Sequence, residues 1–233
     1  MNATMRVAAV LAALALAACA TMRPAPPPAA GATAGAMAAP ALLAAVQSDA
    51  DRIDRSQDAA ERKQLLAAAT ASAQQCLAQF PESGACQYAQ AQVQGLTARA
   101  KPLEAPSLLK DMLASLTKAA AQDPALDHAG PARLSAIVLL RAPPWPLGPG
   151  DVDAALTAAQ RAVQRDPAYP PNLITLGQAQ AKAVGAPPAR ATFAKAQQAV
   201  QAWAGAPSDQ PAEVAADRTK WQQEIAQGLR DLQ

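Results

Sequence analysis

Apolar residues recur at helical spacing over most of the chain. Val152, Leu156, Ala159 and Val163 fall three and four positions apart, so they share one helical face. Val214, Trp221, Ile225, Leu229 and Leu232 repeat the pattern near the C-terminus, and Ile137 to Leu140 is continuously apolar, as in a helix contacted on several sides. No run alternates in the manner of a half-buried strand. The pattern predicts an all-α body over residues 41–233. Two different patterns precede it. Val7 to Ala18 is an uninterrupted apolar run, and Ala20 to Pro40 is almost wholly Ala, Pro, Gly, Thr and Met.

Prolines punctuate the body at a fixed period. Pro81, Pro124 and Pro167 lie 43 residues apart, and Pro211 follows 44 later. Proline cannot continue a preceding helix but tolerates a turn or a first helical position. A period of this size predicts stacked antiparallel helical hairpins, at roughly 41–79, 84–122, 127–165 and 170–203, with a C-terminal capping helix near 211–232. Ala119 and Ala162 stand five residues before their prolines and Ala155 twelve before Pro167, where small side chains let paired helices approach. Segment 170–201 carries Leu176, Gly177, Ala189, Phe193 and Ala196. These spacings resemble the tetratricopeptide repeat. Gln180 stands where that repeat has an aromatic residue, and the longer period predicts longer inter-helix loops, such as 99–105 and 142–150.

The apolar run Val7 to Ala18 follows a single basic residue, Arg6. It is too short to span a bilayer, which takes about 20 apolar residues, and reads as the core of a signal peptide over residues 1–18. It ends in Leu16-Ala17-Ala18-Cys19, which resembles a bacterial lipobox. That resemblance implies cleavage before Cys19, acylation of Cys19 by several chains and stable membrane attachment. Ala20, where an aspartate would retain the protein, implies the outer membrane, facing the periplasm. The alternative is an ordinary cleaved secretory signal with a coincidental cysteine. Residues 19–40, rich in proline, then form a tether.

Charge narrows the partners. Removing residues 1–18 from the 233 leaves 19 basic and 18 acidic groups. So even a balance is unsuited to gripping a polyanion, and no nucleic acid is expected. The single histidine, His128, excludes multi-histidine metal sites and leaves nucleophilic catalysis one available base. No strand precedes a glycine-rich phosphate loop. The expectation is a protein that is not an enzyme and has no cofactor or metal.

Cys76 and Cys86 stand five residues either side of Pro81 and would face each other near the tip of a turn there. The oxidising envelope favours a disulfide; the alternative is two buried thiols packed as small apolar groups. Residues 142–151 are a stiff connection holding Trp145 and Leu147 among prolines, then Gly148-Pro149-Gly150 and Asp151, a helix N-cap. Long loops within compact domains carry function. Either Trp145 and Leu147 anchor a partner or ligand, or they fold back over the hairpin end.

Asp127-His128-Ala129-Gly130-Pro131-Ala132-Arg133, Ala142-Pro143-Pro144, Leu147-Gly148-Pro149-Gly150-Asp151 and Pro167-Ala168-Tyr169-Pro170 resemble the tetratricopeptide lipoproteins that form the T component of TRAP transporters. The likeness covers roughly residues 80–200 and departs at Pro149, where that family has glycine. It implies an all-helical envelope lipoprotein that contacts a solute-binding protein, with a groove or pore lined by apolar helix faces that suits an apolar small ligand. Other helical-repeat lipoproteins serve outer-membrane or pilus assembly, which makes an assembly component the alternative partner.

Overall fold

The computed structural model describes residues 38–205 and 210–233. The expected signal peptide, Cys19 and the expected tether up to residue 37 lie outside the described residues. Among the described residues the chain is all-α: α1 (Ala39–Arg55), α2 (Ala59–Gln79), α3 (Gly84–Ala100), α4 (Ala105–Gln122), α5 (Leu126–Arg141), α6 (Val152–Arg165), α7 (Pro170–Ala183), α8 (Ala186–Ala202) and α9 (Pro211–Arg230). Successive pairs α1–α2, α3–α4, α5–α6 and α7–α8 form antiparallel hairpins stacked in chain order, and α9 packs on α7 and α8. The architecture is an α-solenoid with a C-terminal capping helix.

Local chemistry sets the boundaries. The two Asp-Pro turns share one device. Asp123 accepts the Ala125 N–H and Asp166 the Ala168 N–H, each two residues on, across a proline that cannot extend the helix. Asp58 and Asp151 cap α2 and α6 by accepting the N–H groups of Ala60 and Ala154. Pro40 at the start of α1 and Pro211 at the start of α9 occupy first-turn positions, where no N–H is needed.

The core is built on alanine. Ala155, Ala159 and Ala162 are fully buried along α6, and Ala69, Ala73, Ala89, Ala91 and Ala119 are buried in the first two hairpins. The face read from Val152, Leu156, Ala159 and Val163 is therefore turned by about one position. Alanine leads the contact because it permits closer approach, and Val152 is left exposed. Around the last hairpin the core is larger: Phe193, fully buried, packs with Leu173, Ile174, Val200, Trp221 and Ile225.

Loop length does not absorb the long period as expected. Only residues 101–104 separate α3 from α4; helix length takes up the excess there, with 17 residues in α3 and 18 in α4. In the third hairpin the expectation holds, where 142–151 joins helices of 16 and 14 residues. α5 also does not start as a regular helix. Asp127, His128 and Ala129 have φ of 50°, 53° and 63°, a left-handed turn of three non-glycine residues.

Candidate functional site

The loop 142–151 closes on itself. The Gly150 N–H donates to the Pro143 carbonyl at 2.9 Å, and the Asp151 N–H to Leu139 at 3.1 Å. A Cβ on Gly150 would stand 2.2 Å from the Ala142 carbonyl oxygen, and one on Gly148 2.7 Å from that of Pro143, so both positions need glycine. This closure places Trp145 and Leu147 at the apex, 86% and 70% exposed. They do not fold back over the hairpin end: the tight base of the loop directs them away from it.

The other exposed large apolar side chains share this edge. Among the described residues these are Leu103 in the α3–α4 turn, Val184 in the α7–α8 turn and Val152 at the start of α6. All of them lie at the turns within hairpins. The chain enters α1 at the opposite edge, where Ala39 packs beside Leu42, Leu77, Phe80 and the cysteines. There Cys76 and Cys86 are joined as a disulfide across the Pro81 turn, with Cα atoms 5.2 Å apart.

The repeat-pattern residues converge within their hairpins. Ala155, Ala162, Ala189, Phe193 and Ala196 are buried, and Leu176 packs against the α5–α7 cluster. A Cβ on Gly177 would approach Phe193 Cε1 to 2.8 Å, so this glycine makes room for the ring. Gln180, standing where an aromatic residue is usual, accepts a hydrogen bond from the buried Thr192 hydroxyl at 2.6 Å.

A second constellation joins the string Asp127–Arg133 to residues that sequence spacing did not link to it. The left-handed turn 127–129 is held by Arg133 of its own helix and by side chains from α3, α7 and the α6–α7 turn. Tyr88 of α3 donates to Asp127 Oδ2 at 2.7 Å. Arg133 pairs with the same carboxylate at 3.0 Å and donates to the carbonyls of Asp127 and His128 and to Asn172 Oδ1, each at 3.1 Å. Asn172, fully buried on α7, donates through Nδ2 to the carbonyls of His128, Ala162 and Asp166. His128 Nδ1 lies 2.7 Å from Asp166 Oδ2, and its ring stacks on Tyr169 at 4.2 Å. Trp203 and Trp221 complete an edge-to-face aromatic group around Tyr169, and the Arg133 guanidinium sits 5.0 Å from the Tyr169 ring centre.

A left-handed residue costs roughly 1–2 kcal/mol, and this network offsets three in a row. Gly130 is integral to it: a Cβ there would stand 2.4 Å from the Tyr88 hydroxyl. Burial and then the nearby Asp127 carboxylate push the Tyr88 phenol far above its ordinary value. Burial, partly opposed by Arg133, pushes Tyr169 up to about 12. The visible signal was the string Asp127 to Arg133, but its partners Tyr88, Asp166 and Asn172 lie about one repeat away in sequence.

α1, α3, α4, α5 and α9 enclose a groove of about 620 Å³. Leu109, Met112, Ile137 and Val138 form its apolar floor; Arg99, Arg133, Arg141 and Lys220 bring positive charge to it. Among the described residues no group of three or more His, Cys, Asp or Glu is arranged to hold a metal ion, and no helix is long and apolar enough to cross a membrane. His128 has a carboxylate partner in Asp166, but no serine or cysteine hydrogen-bonds to its ring among the described residues.

No protein-family model matches this chain, and no curated protein is similar to it.

Proposed function

We propose that the chain is an outer-membrane lipoprotein, held through Cys19 in the periplasmic leaflet, whose tetratricopeptide-like body docks another envelope protein and catalyses no reaction of its own. The observation that carries this reading is the exposed apex of the 142–151 loop. Trp145 and Leu147 project from a connection fixed by prolines, glycines and its own hydrogen bonds. An aromatic side chain held in place in this way loses little entropy on binding, which suits an interface anchor.

The rest of the edge supports the same role. Leu103 and Val184 extend it along neighbouring hairpin turns. The chain enters α1 at the other edge, away from these side chains. The partner class follows from the resemblance of Asp127–Arg133 and 142–151 to the T component of TRAP transporters, and is the solute-binding protein of such a system.

The test is in-cell cross-linking of tagged full-length protein, run beside a Trp145→Ser, Leu147→Ser variant, with captured proteins identified by mass spectrometry. A solute-binding protein recovered with the parent and lost with the variant supports the proposal. Recovery of outer-membrane or pilus assembly components moves the protein to the assembly class. Equal capture by parent and variant removes the loop apex as the docking element.

A further inference from the structure

The groove on the α1–α3–α5 side is separate from the loop apex, and its chemistry points to a small ligand. Its floor is apolar along Leu109, Met112, Ile137 and Val138. α1 and α9 form opposite walls without packing on each other, so the groove stays open between them. A volume of about 620 Å³ falls within the range of small-molecule sites, roughly 300–1,000 Å³.

The charges divide into used and unused. Arg133 is committed to Asp127 and Asn172, and Arg99 to Asp54 at 2.9 Å. Arg141 ends α5 three and four residues after Val138 and Ile137, on the same face, and no carboxylate of the described residues lies within ion-pair distance of it. Lys220 reaches in from α9, within electrostatic range of Asp51, the one carboxylate that lines the groove. The groove thus combines an apolar floor with an excess of positive charge at its walls.

We propose that this groove binds a single-chain amphipathic carboxylate, with its alkyl tail along the α4–α5 floor and its carboxylate held by Arg141 and Lys220. A neutral alkane would gain nothing from these cations, and an alkylammonium would be repelled by them. A short carboxylate would leave the floor wet. Arg141 supplies a planar fork suited to a carboxylate, and Lys220 a mobile point charge from the opposite wall.

The test is calorimetric titration of residues 19–233, produced without the apolar run Val7 to Ala18 and carrying Cys19→Ser so that the chain is not acylated. The probes are dodecanoate, dodecylamine and acetate. Dodecanoate is expected to bind one per chain, with dodecylamine and acetate far weaker. Removing both cations in Arg141→Gln, Lys220→Gln is expected to weaken dodecanoate by about tenfold or more, the scale of a lost charge-paired hydrogen bond. Lys195→Gln, on α8 and outside the groove, is expected to leave the affinity unchanged, and circular dichroism should show both variants folded. Absence of dodecanoate binding, equal binding of dodecylamine, or unchanged affinity in the double variant would each overturn the proposal. None of these outcomes bears on the docking role of Trp145 and Leu147.

Discussion

The side-chain amide of Asn172 donates to the main-chain carbonyl of His128 at 3.0 Å, tying one hairpin to the next across 44 residues of sequence. The same amide serves the carbonyls of Ala162 and Asp166. One buried side chain thereby closes the end of α6, the Asp-Pro turn and the left-handed turn that opens α5. Asn172→Ala should leave the Asp166 carbonyl without its donor, while the carbonyls of His128 and Ala162 keep Arg133 and the Asp166 N–H. At roughly 1–3 kcal/mol for a buried group left unpaired, a loss of about 2 kcal/mol is expected. Urea unfolding followed by circular dichroism measures it, and a loss below about 1 kcal/mol would mean that the turn holds without Asn172.

Glycines meeting the same kind of neighbour should respond differently according to how far that neighbour can move. A Cβ on Gly228 of α9 would lie 2.5 Å from Phe193 Cζ, at the tip of a fully buried ring. Gly228→Ala should cost about 1–3 kcal/mol through overpacking, outweighing a gain in helix propensity of about 1 kcal/mol. A Cβ on Gly95 would meet only the end of Met112, at 3.1 Å. That thioether can turn aside, so Gly95→Ala should be neutral or stabilising. Paired thermal melts decide between the two.

The disulfide encloses a short loop, since Cys76 and Cys86 are 10 residues apart. Chain-entropy reasoning then gives about 3 kcal/mol of stabilisation. Unfolding with and without reductant should differ by that order, and Cys76→Ser, Cys86→Ser should match the reduced protein.

The two tyrosines give a pH signature. Tyr88 and Tyr169 are the two tyrosines of the sequence, so the phenolate absorbance belongs to them. Both hold their protons in the folded chain above the ordinary value of 10.0, Tyr169 up to about 12 and Tyr88 further. Once unfolded, the chain releases these protons near pH 10 and so binds fewer of them between there and the folded values. Stability should therefore be complete below about pH 10 and fall as pH rises towards 12. An ultraviolet titration should show little phenolate at pH 10 until the protein unfolds.

Trp145 should matter to binding and not to stability. It is exposed, whereas Trp221 is buried and Trp203 packs against Tyr169. Trp145→Ser should change the unfolding free energy by less than about 0.5 kcal/mol. It should also remove the fraction of tryptophan fluorescence most open to a soluble quencher.

The helices and their repeat were legible because their signals are local. Helical spacing, the 43-residue proline period and the Asp-Pro turns each act within a few residues. Asp123 and Asp166 form their turns with N–H groups two positions away, and Asp151 caps the helix that it directly precedes. Alanine spacing marked Ala155 and Ala162 as close-packing positions. It did not reveal that these alanines would lead the buried face of α6 while Val152 stayed outside, because that depends on how near the neighbouring helix comes.

The sequence by itself determined an all-α chain of stacked hairpins, since helix periodicity and proline punctuation need no distant partner. Tertiary structure decided the rest. The network around His128 joins Tyr88 to Asp127 and His128 to Asp166 and Asn172 over separations of 39, 38 and 44 residues, and only stacking one hairpin on the next brings such residues together. The groove likewise exists because α9, last in the chain, faces α1, the first described helix, across α3 and α5. The outward course of Trp145 was settled by hydrogen bonds at the base of its loop, a balance of backbone geometry that composition and spacing do not encode.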